Sequence, residues 1–123
     1  MKTLVLIAGG GAVGAVARWA MVGGIDWLAK GARFPWGTVL VNVLGCFAIG
    51  LLYGFSESRA WLTEAARWLL IVGFLGSFTT FSAFGWQSFD LLRNGQAGLA
   101  FANILGSVAA GLLCVWGGCA LAG

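Results

Sequence analysis

The sequence has no histidine, one proline, and charged residues at only 9% of its 123 positions. A soluble domain carries about 25% charged residues, so this composition excludes a water-exposed fold. Without histidine, and without ligand residues at metal-site spacing, the common transition-metal centres are excluded as well. The net charge of +3 forms no basic stripe, which argues against nucleic-acid binding. The three cysteines (Cys46, Cys114 and Cys119) lie in apolar stretches and are interpreted as packing residues, not as a disulfide framework.

What the sequence has in excess is apolar length. Hydrophobic residues make up 60% of the chain and the mean hydropathy is +0.94. A helix needs about 20 apolar residues to cross the hydrocarbon core of a bilayer. Four stretches meet this length, at residues 4–25, 37–55, 68–92 and 97–122. We therefore predict an all-α membrane protein with a single four-helix transmembrane domain over residues 1–123.

The basic residues are divided almost evenly between the two sides of the membrane. One side has Lys2, Arg59 and Arg67; the other has Lys30, Arg33 and Arg93, with Arg18 able to reach it. The positive-inside rule then sets no orientation, so the chain can insert both ways and pair as an antiparallel dual-topology homodimer. The alternative is that another feature holds it in one orientation.

Glycine pairs indicate where helices approach closely. Gly10 and Gly14, and likewise Gly50 and Gly54, form small-x-x-x-small motifs, which allow close backbone contact in lipid. These pairs predict helix–helix interfaces, but the helices that each one joins cannot be read from the pattern.

The polar residues at membrane depth are neutral, and most can donate a hydrogen bond. They are Thr38, Asn42, Thr79, Thr80, Ser82, Gln87, Ser88, Asn103 and Ser107. A pathway of neutral donors suits a small anion, whereas a cation pathway would be expected to contain Asp or Glu. The alternative is that each hydroxyl bonds to its own helix. That alternative is weaker for Asn42 and Asn103, because a side-chain amide has more hydrogen-bonding atoms than a hydroxyl and is less easily satisfied by its own helix.

The third span contains an interruption near the bilayer midplane. Gly73 and Gly76 precede a run of Phe and Thr, a composition that disfavours a continuous helix. A break frees carbonyl groups, which protein or a bound ion must satisfy. In an antiparallel dimer two copies of the break would converge as a cation site. Phe81 and Phe84 share a helix face and are ordinarily core or lipid-facing residues; the alternative is that their positive ring edges face an anion.

Three blocks of sequence, residues 9–18, 37–45 and 73–84, together resemble the Fluc/CrcB family of small bacterial fluoride channels. The third block, with Thr79-Thr80-Phe81-Ser82-Ala83-Phe84, is the most specific. The resemblance implies a multi-pass protein of the bacterial plasma (inner) membrane, working as an antiparallel homodimer among membrane lipids. It implies a channel with two pathways for passive fluoride export, and no enzymatic activity.

The resemblance also implies roles for individual residues. It assigns Phe81, Phe84 and Ser82 to the fluoride pathway, with Asn42 donating to the ion. Thr38 is added to the pathway as a neutral donor, and Asn103 and Ser107 as a looser match on span four. Arg18 matches a basic residue at the pathway mouth, and the carbonyls of Gly76 and Thr79 match a structural sodium site.

Two other functions remain as alternatives. A small multidrug-type transporter also forms a four-helix dual-topology dimer, but it needs a carboxylate in span one, and residues 4–25 contain none. A structural membrane subunit would leave the interruption in span three without a reason.

Overall fold

The computed structural model describes residues 1–59 and 61–123, and all of the regular structure in these ranges is helical. The helices are α1 (Lys2–Leu28), α2 (Trp36–Arg59), α3 (Glu64–Ala66), a π-helix (Arg67–Leu75), α4 (Gly76–Phe78), α5 (Phe81–Arg93) and α6 (Ala97–Ala122). Four segments are long and apolar enough to cross a membrane, and the third of them, Glu64–Arg93, combines α3, the π-helix, α4 and α5. The prediction of an all-α protein with four spans is therefore confirmed.

Three of the four spans extend beyond the apolar stretches that predicted them, and the fourth, Ala97–Ala122, coincides with its stretch. The first, for example, covers Lys2–Leu28 where the hydropathy indicated residues 4–25. Hydropathy marks only the part that suits hydrocarbon, whereas backbone hydrogen bonding continues into the headgroup layer. Asp26 illustrates this: it lies in the last turn of α1, and its Oδ1 accepts a hydrogen bond of 3.2 Å from the Gly37 N–H at the start of α2.

The first glycine pair joins α1 to the π-helix. A Cβ on Gly10 would overlap the carbonyl oxygen of Leu69, and one on Gly14 would overlap the carbonyl oxygen of Phe74. Gly73 completes the contact, because a Cβ there would lie 2.9 Å from the Ile7 carbonyl. Only glycine allows this approach, so the two backbones are in direct contact.

The second glycine pair joins α2 to α6, which run parallel. A Cβ on Gly50 would overlap the Val115 carbonyl, and one on Gly54 would lie 2.7 Å from the Cys119 carbonyl. Gly118 of α6 packs in the same way against the Phe47 carbonyl. The i, i+4 ridge of α2 thus lies in a groove of α6, as close helix packing requires.

The N-terminal half of the third span is wound as a π-helix. At its end the Gly76 N–H donates to the Ile71 carbonyl, five residues earlier. Such segments are rare and often adjoin functional sites. Leu75, the last residue of this helix, and Phe78 of α4 lie in the core beside Val41 of α2, and the rings of Phe78 and Phe74 stack with centroids 5.6 Å apart. This core anchors the chain immediately before the interruption.

We expect Gly10→Ala to lower the free energy of unfolding by about 1–3 kcal/mol, because the added methyl group cannot fit against the Leu69 carbonyl. Gly9→Ala is the matched control, since a Cβ on Gly9 meets nothing within 4 Å. That control should be neutral or slightly stabilising, as alanine is the better helix former. Thermal unfolding in detergent measures both variants, and equal melting temperatures would contradict the packing described.

Candidate functional site

The third span is interrupted at Thr79 and Thr80. Thr79 has φ −83° and ψ 157°, and Thr80 has φ −146° and ψ 119°, so both residues are extended between two helical segments. The interruption predicted from composition is therefore present. It separates the π-helix and α4 from α5, which starts at Phe81.

Asn42 of α2 satisfies the peptide groups that the interruption exposes. Its Nδ2 donates to the Thr80 carbonyl at 3.0 Å, and its Oδ1 accepts from the Thr80 N–H at 2.7 Å. Because a backbone N–H only donates and a carbonyl only accepts, this pair holds the Asn42 amide in one orientation. One N–H of the amide remains for another acceptor.

Thr80 also starts α5. Its side chain caps the helix by accepting from the Ala83 N–H at 3.2 Å. The capped first turn carries Phe81 and Phe84, whose ring centroids are 5.8 Å apart with planes tilted by 44°. Phe81 is 83% exposed in the single chain. The exposed Ser82 lies beside the cap, with its Oγ 3.4 Å from the Thr80 Oγ1.

These elements form a groove of about 150 Å³. It is lined by Asn42, Thr80, Phe81, Phe84, Ser107 and Val108. Four of the predicted pathway residues, from three separate helices, are thus brought to one place. All six lining residues are uncharged, so the groove offers hydrogen-bond donors and ring edges without a fixed charge.

A chain of hydrogen bonds lies behind the groove. The Ser107 Oγ donates to the Asn103 Oδ1 at 3.1 Å, and the Asn103 Nδ2 donates to the Ser88 Oγ at 2.9 Å. The Ser88 hydroxyl donates in turn to the Phe84 carbonyl at 2.8 Å. Asn103 is 1% exposed and supports the groove without lining it.

Ser88 was not predicted as a site residue. Two signals point to it: its four-residue spacing from Phe84, which puts both on one face of α5, and its small polar side chain at membrane depth. What the pattern could not indicate is the partner, Asn103, fifteen positions later on another helix.

Two further predicted residues lie outside the groove. Thr38 is buried one turn before Asn42 on α2. Arg18 reaches the interruption, where its Nε donates to the Ser77 carbonyl at 3.0 Å. The guanidinium therefore partners a carbonyl at the C-terminal end of α4, the position at which a helix favours positive charge.

The interruption also redirects carbonyl groups. In a continuous helix the Thr80 N–H would donate to the Gly76 carbonyl, but here it donates to Asn42. Thr79 is extended, so its carbonyl leaves the helical ladder, while its hydroxyl donates to the Leu75 carbonyl at 2.9 Å. Gly76 is exposed. Redirected carbonyl oxygens of this kind suit an alkali cation, so Gly76 and Thr79 fit the chemistry of a sodium site.

A second, polar cavity of about 340 Å³ lies at one end of the helices. Its lining includes Asp26, Arg33, Gln87 and Asp90. Asp90 forms an ion pair of 2.8 Å with Arg93. The Gln87 Oε1 is buried and has no hydrogen-bond partner within residues 1–59 and 61–123.

Comparison with known proteins gives a consistent result over nearly the whole chain. The family profile described as "CrcB-like protein, Camphor Resistance (CrcB)" matches residues 5–119. A protein of Geobacter sulfurreducens is 46% identical over 118 residues, which cover 96% of this chain and 94% of the relative. One of Solibacter usitatus is 47% identical over 122 residues, covering 99% and 98%. Both relatives are named fluoride-specific ion channel FluC.

We expect Asn42→Ala to destabilise the fold, because it leaves the Thr80 N–H and carbonyl unpaired, at about 1–3 kcal/mol for each buried group. Leu44→Ala, at an exposed position two residues later, is the control. Amide hydrogen exchange measured in detergent should show faster exchange at Thr80 in the Asn42 variant only. Unchanged protection of that amide would contradict the bonding described.

Proposed function

This chain belongs to the CrcB-like protein family, and from that premise we propose that it is a fluoride channel, which lets cytoplasmic fluoride leave passively and performs no enzymatic reaction. The relatives named fluoride-specific ion channel FluC, at 46% and 47% identity, support the ion. The observation that carries the proposal is the uncharged groove beside the interruption, lined by Asn42, Phe81, Phe84 and Ser107.

The groove supplies what a small anion needs after it leaves water. Fluoride exchanges its hydration for the free N–H of Asn42 and for the positive ring edges of Phe81 and Phe84. The absence of a charged lining residue matters equally, because an ion held by a full positive charge would leave slowly. Conduction requires binding that is strong enough for the ion to enter the groove and weak enough for it to leave.

Three other residues complete the proposed pathway. Arg18 raises the concentration of anions at the mouth through its guanidinium group, whose Nε bonds to the Ser77 carbonyl. Ser82, between Phe81 and Phe84 on α5, and Thr38, one turn before Asn42 on α2, offer hydroxyl groups next to residues that line the groove. Their roles rest on residue chemistry and position along the helices.

We propose that the working channel is an antiparallel dual-topology homodimer in the bacterial inner membrane, surrounded by lipid. Support comes from the even distribution of basic residues and from Phe81, which is 83% exposed although it lines the groove. A second copy that covers this ring would close the open side of the groove. Each protomer would then contribute one pathway.

The two-fold symmetry of the proposed dimer also supports a structural sodium ion. One chain offers the carbonyls of Gly76 and Thr79, which are too few to coordinate a cation alone. A two-fold axis beside the interruption would bring the same carbonyls of the second copy to the site. A bound sodium would there supply the positive charge that offsets converging carbonyl dipoles.

A multidrug-type exchange mechanism is less well supported. The only carboxylate in α1 is Asp26, which lies in the last turn of the helix and accepts a hydrogen bond from the Gly37 N–H. An acid used in this way at the membrane surface is poorly suited to exchange a proton for a cationic drug at membrane depth. The structural-subunit alternative leaves the groove without a role.

We expect liposomes that contain this protein and are loaded with fluoride to release it under a potassium gradient with valinomycin, while chloride-loaded liposomes retain chloride. A fluoride electrode follows the release. Phe81→Ile should slow fluoride release at least about tenfold, since it removes a ring edge worth about 1.4 kcal/mol. Phe89→Ile, at an exposed position on the same helix outside the groove, is the control. Equal release of both ions would refute fluoride selectivity.

Dual topology has a separate test. C-terminal reporter fusions should be active on both sides of the membrane, because the charge bias is too small to set one orientation. Adding two lysines to the loop at residues 94–96 should shift the reporters to one side. Exclusive labelling of one side by the unmodified chain would rule out the antiparallel dimer.

A further inference from the structure

Two side-chain amides belong to the site: Asn42, which is half-buried, and Asn103, which is buried. Their hydrogen-bond partners are of different chemical kinds. Both partners of Asn42 are backbone groups of Thr80, whose donor and acceptor cannot exchange. The partners of Asn103 are the hydroxyls of Ser88 and Ser107, and a hydroxyl either donates or accepts. The first amide is therefore fixed, whereas the second can have its oxygen and nitrogen exchanged.

In the structure the bonds run from the groove inward. Ser107 donates to Asn103, Asn103 to Ser88, and Ser88 to the Phe84 carbonyl. The single hydroxyl proton of Ser107 is thus used inside the protein. While Ser107 donates to Asn103, it presents only the lone pairs of its oxygen to the groove, and these repel an anion.

A half-turn of the Asn103 amide reverses the direction. The Ser88 hydroxyl then donates to the Asn103 Oδ1, the Asn103 Nδ2 donates to the Ser107 Oγ, and the Ser107 proton points into the groove. No proton is gained or lost, and the amide's oxygen and nitrogen exchange nearly equivalent positions. Asn103 is 1% exposed, so water cannot substitute for either partner.

We infer that Ser88, Asn103 and Ser107 form a reversible hydrogen-bond relay that decides whether the groove accepts an anion. This inference deepens the proposed function and rests on it. Ser88 does not touch the ion; it is a positioning residue that acts through Asn103. The amide of Asn42 provides a constant donor, and the relay adds a second donor only when an anion is present.

Counting the bonds explains the resting direction. The observed direction makes three hydrogen bonds and the reversed one makes two, because the Ser88 hydroxyl gives up the Phe84 carbonyl. That carbonyl keeps its helical donor, so reversal leaves no backbone group unpaired. An anion that accepts strongly from Ser107 offsets the lost bond, since charge-assisted hydrogen bonds are the stronger kind. A weak acceptor such as chloride does not, so the relay contributes to selectivity.

The relay predicts that Ser88→Ala increases the release of chloride instead of reducing transport. Without the hydroxyl, each direction keeps one bond between Asn103 and Ser107, so the preference for the resting direction is lost. We expect chloride release from liposomes to rise about fivefold, the factor that one net hydrogen bond represents. Ser88→Thr keeps a hydroxyl and should restore chloride exclusion. Ser58→Ala removes a hydroxyl that bonds to the Gly54 carbonyl far from the groove, and serves as the control.

A spectroscopic measurement on the unmodified protein tests the relay independently of transport. Labelling with ¹⁵N-asparagine gives side-chain signals from Asn42, Asn94 and Asn103, which substitution of the exposed Asn94 helps to assign. Sodium fluoride should shift the Asn103 signals in detergent, and sodium chloride should not. This readout remains decisive if Ser88→Ala does not fold.

The outcomes separate the two proposals. Raised chloride release in Ser88→Ala, rescue by Ser88→Thr and a fluoride-specific shift at Asn103 support the relay. Slower fluoride release in Ser88→Ala with chloride still excluded, or an Asn103 signal indifferent to fluoride, overturns it. If the unmodified protein releases no fluoride at all, the proposed function fails, and the Asn103 titration still decides whether the relay responds to the anion.

Discussion

The site depends on how the backbone N–H and carbonyl of one residue, Thr80, are hydrogen-bonded at membrane depth. An unpaired N–H or carbonyl in hydrocarbon costs several kcal/mol, so a helix cannot be interrupted there unless another group replaces the lost bonds. Asn42 provides both replacements for Thr80 from the neighbouring helix. The third span can therefore stop and restart. Because α5 starts afresh at Phe81 with its own cap, Phe81 and Phe84 face the groove instead of continuing the helical register of the π-helix.

Glycine contacts give this arrangement its rigidity. Apolar side chains gain little by meeting each other in lipid, so close backbone packing must hold the helices. Gly10 and Gly14 hold α1 against the π-helix, while Gly50 and Gly54 hold α2 against α6. The first contact anchors the segment before the interruption, and Arg18 adds a bond from α1 to the Ser77 carbonyl. The second contact sets the position of the helices that carry Asn42 and Ser107.

Selectivity among anions then has two sources in the proposed mechanism. One is permanent: an uncharged groove with a fixed amide donor and two aromatic rings. The other is conditional: a serine hydroxyl whose proton is used inside the protein until an ion draws it out. A permanent donor alone would bind anions according to size and charge, whereas a conditional donor discriminates by hydrogen-bond acceptor strength. Fluoride is the halide that accepts hydrogen bonds most strongly, so both sources favour it.

The sequence by itself determined the number of spans, the position of the interruption and the family, because hydropathy, composition and motifs are local properties of the chain. It also supplied four of the six residues that line the groove, although their assignment to a pathway came only through the family resemblance. The tertiary structure decided which groups meet. Asn42 and Thr80 are 38 positions apart, and their bonding depends on the packing of α2 against the third span, which no local pattern records. The same holds for the partners of the glycine pairs and for Ser88, whose role exists only because α6 brings Asn103 within 2.9 Å of it.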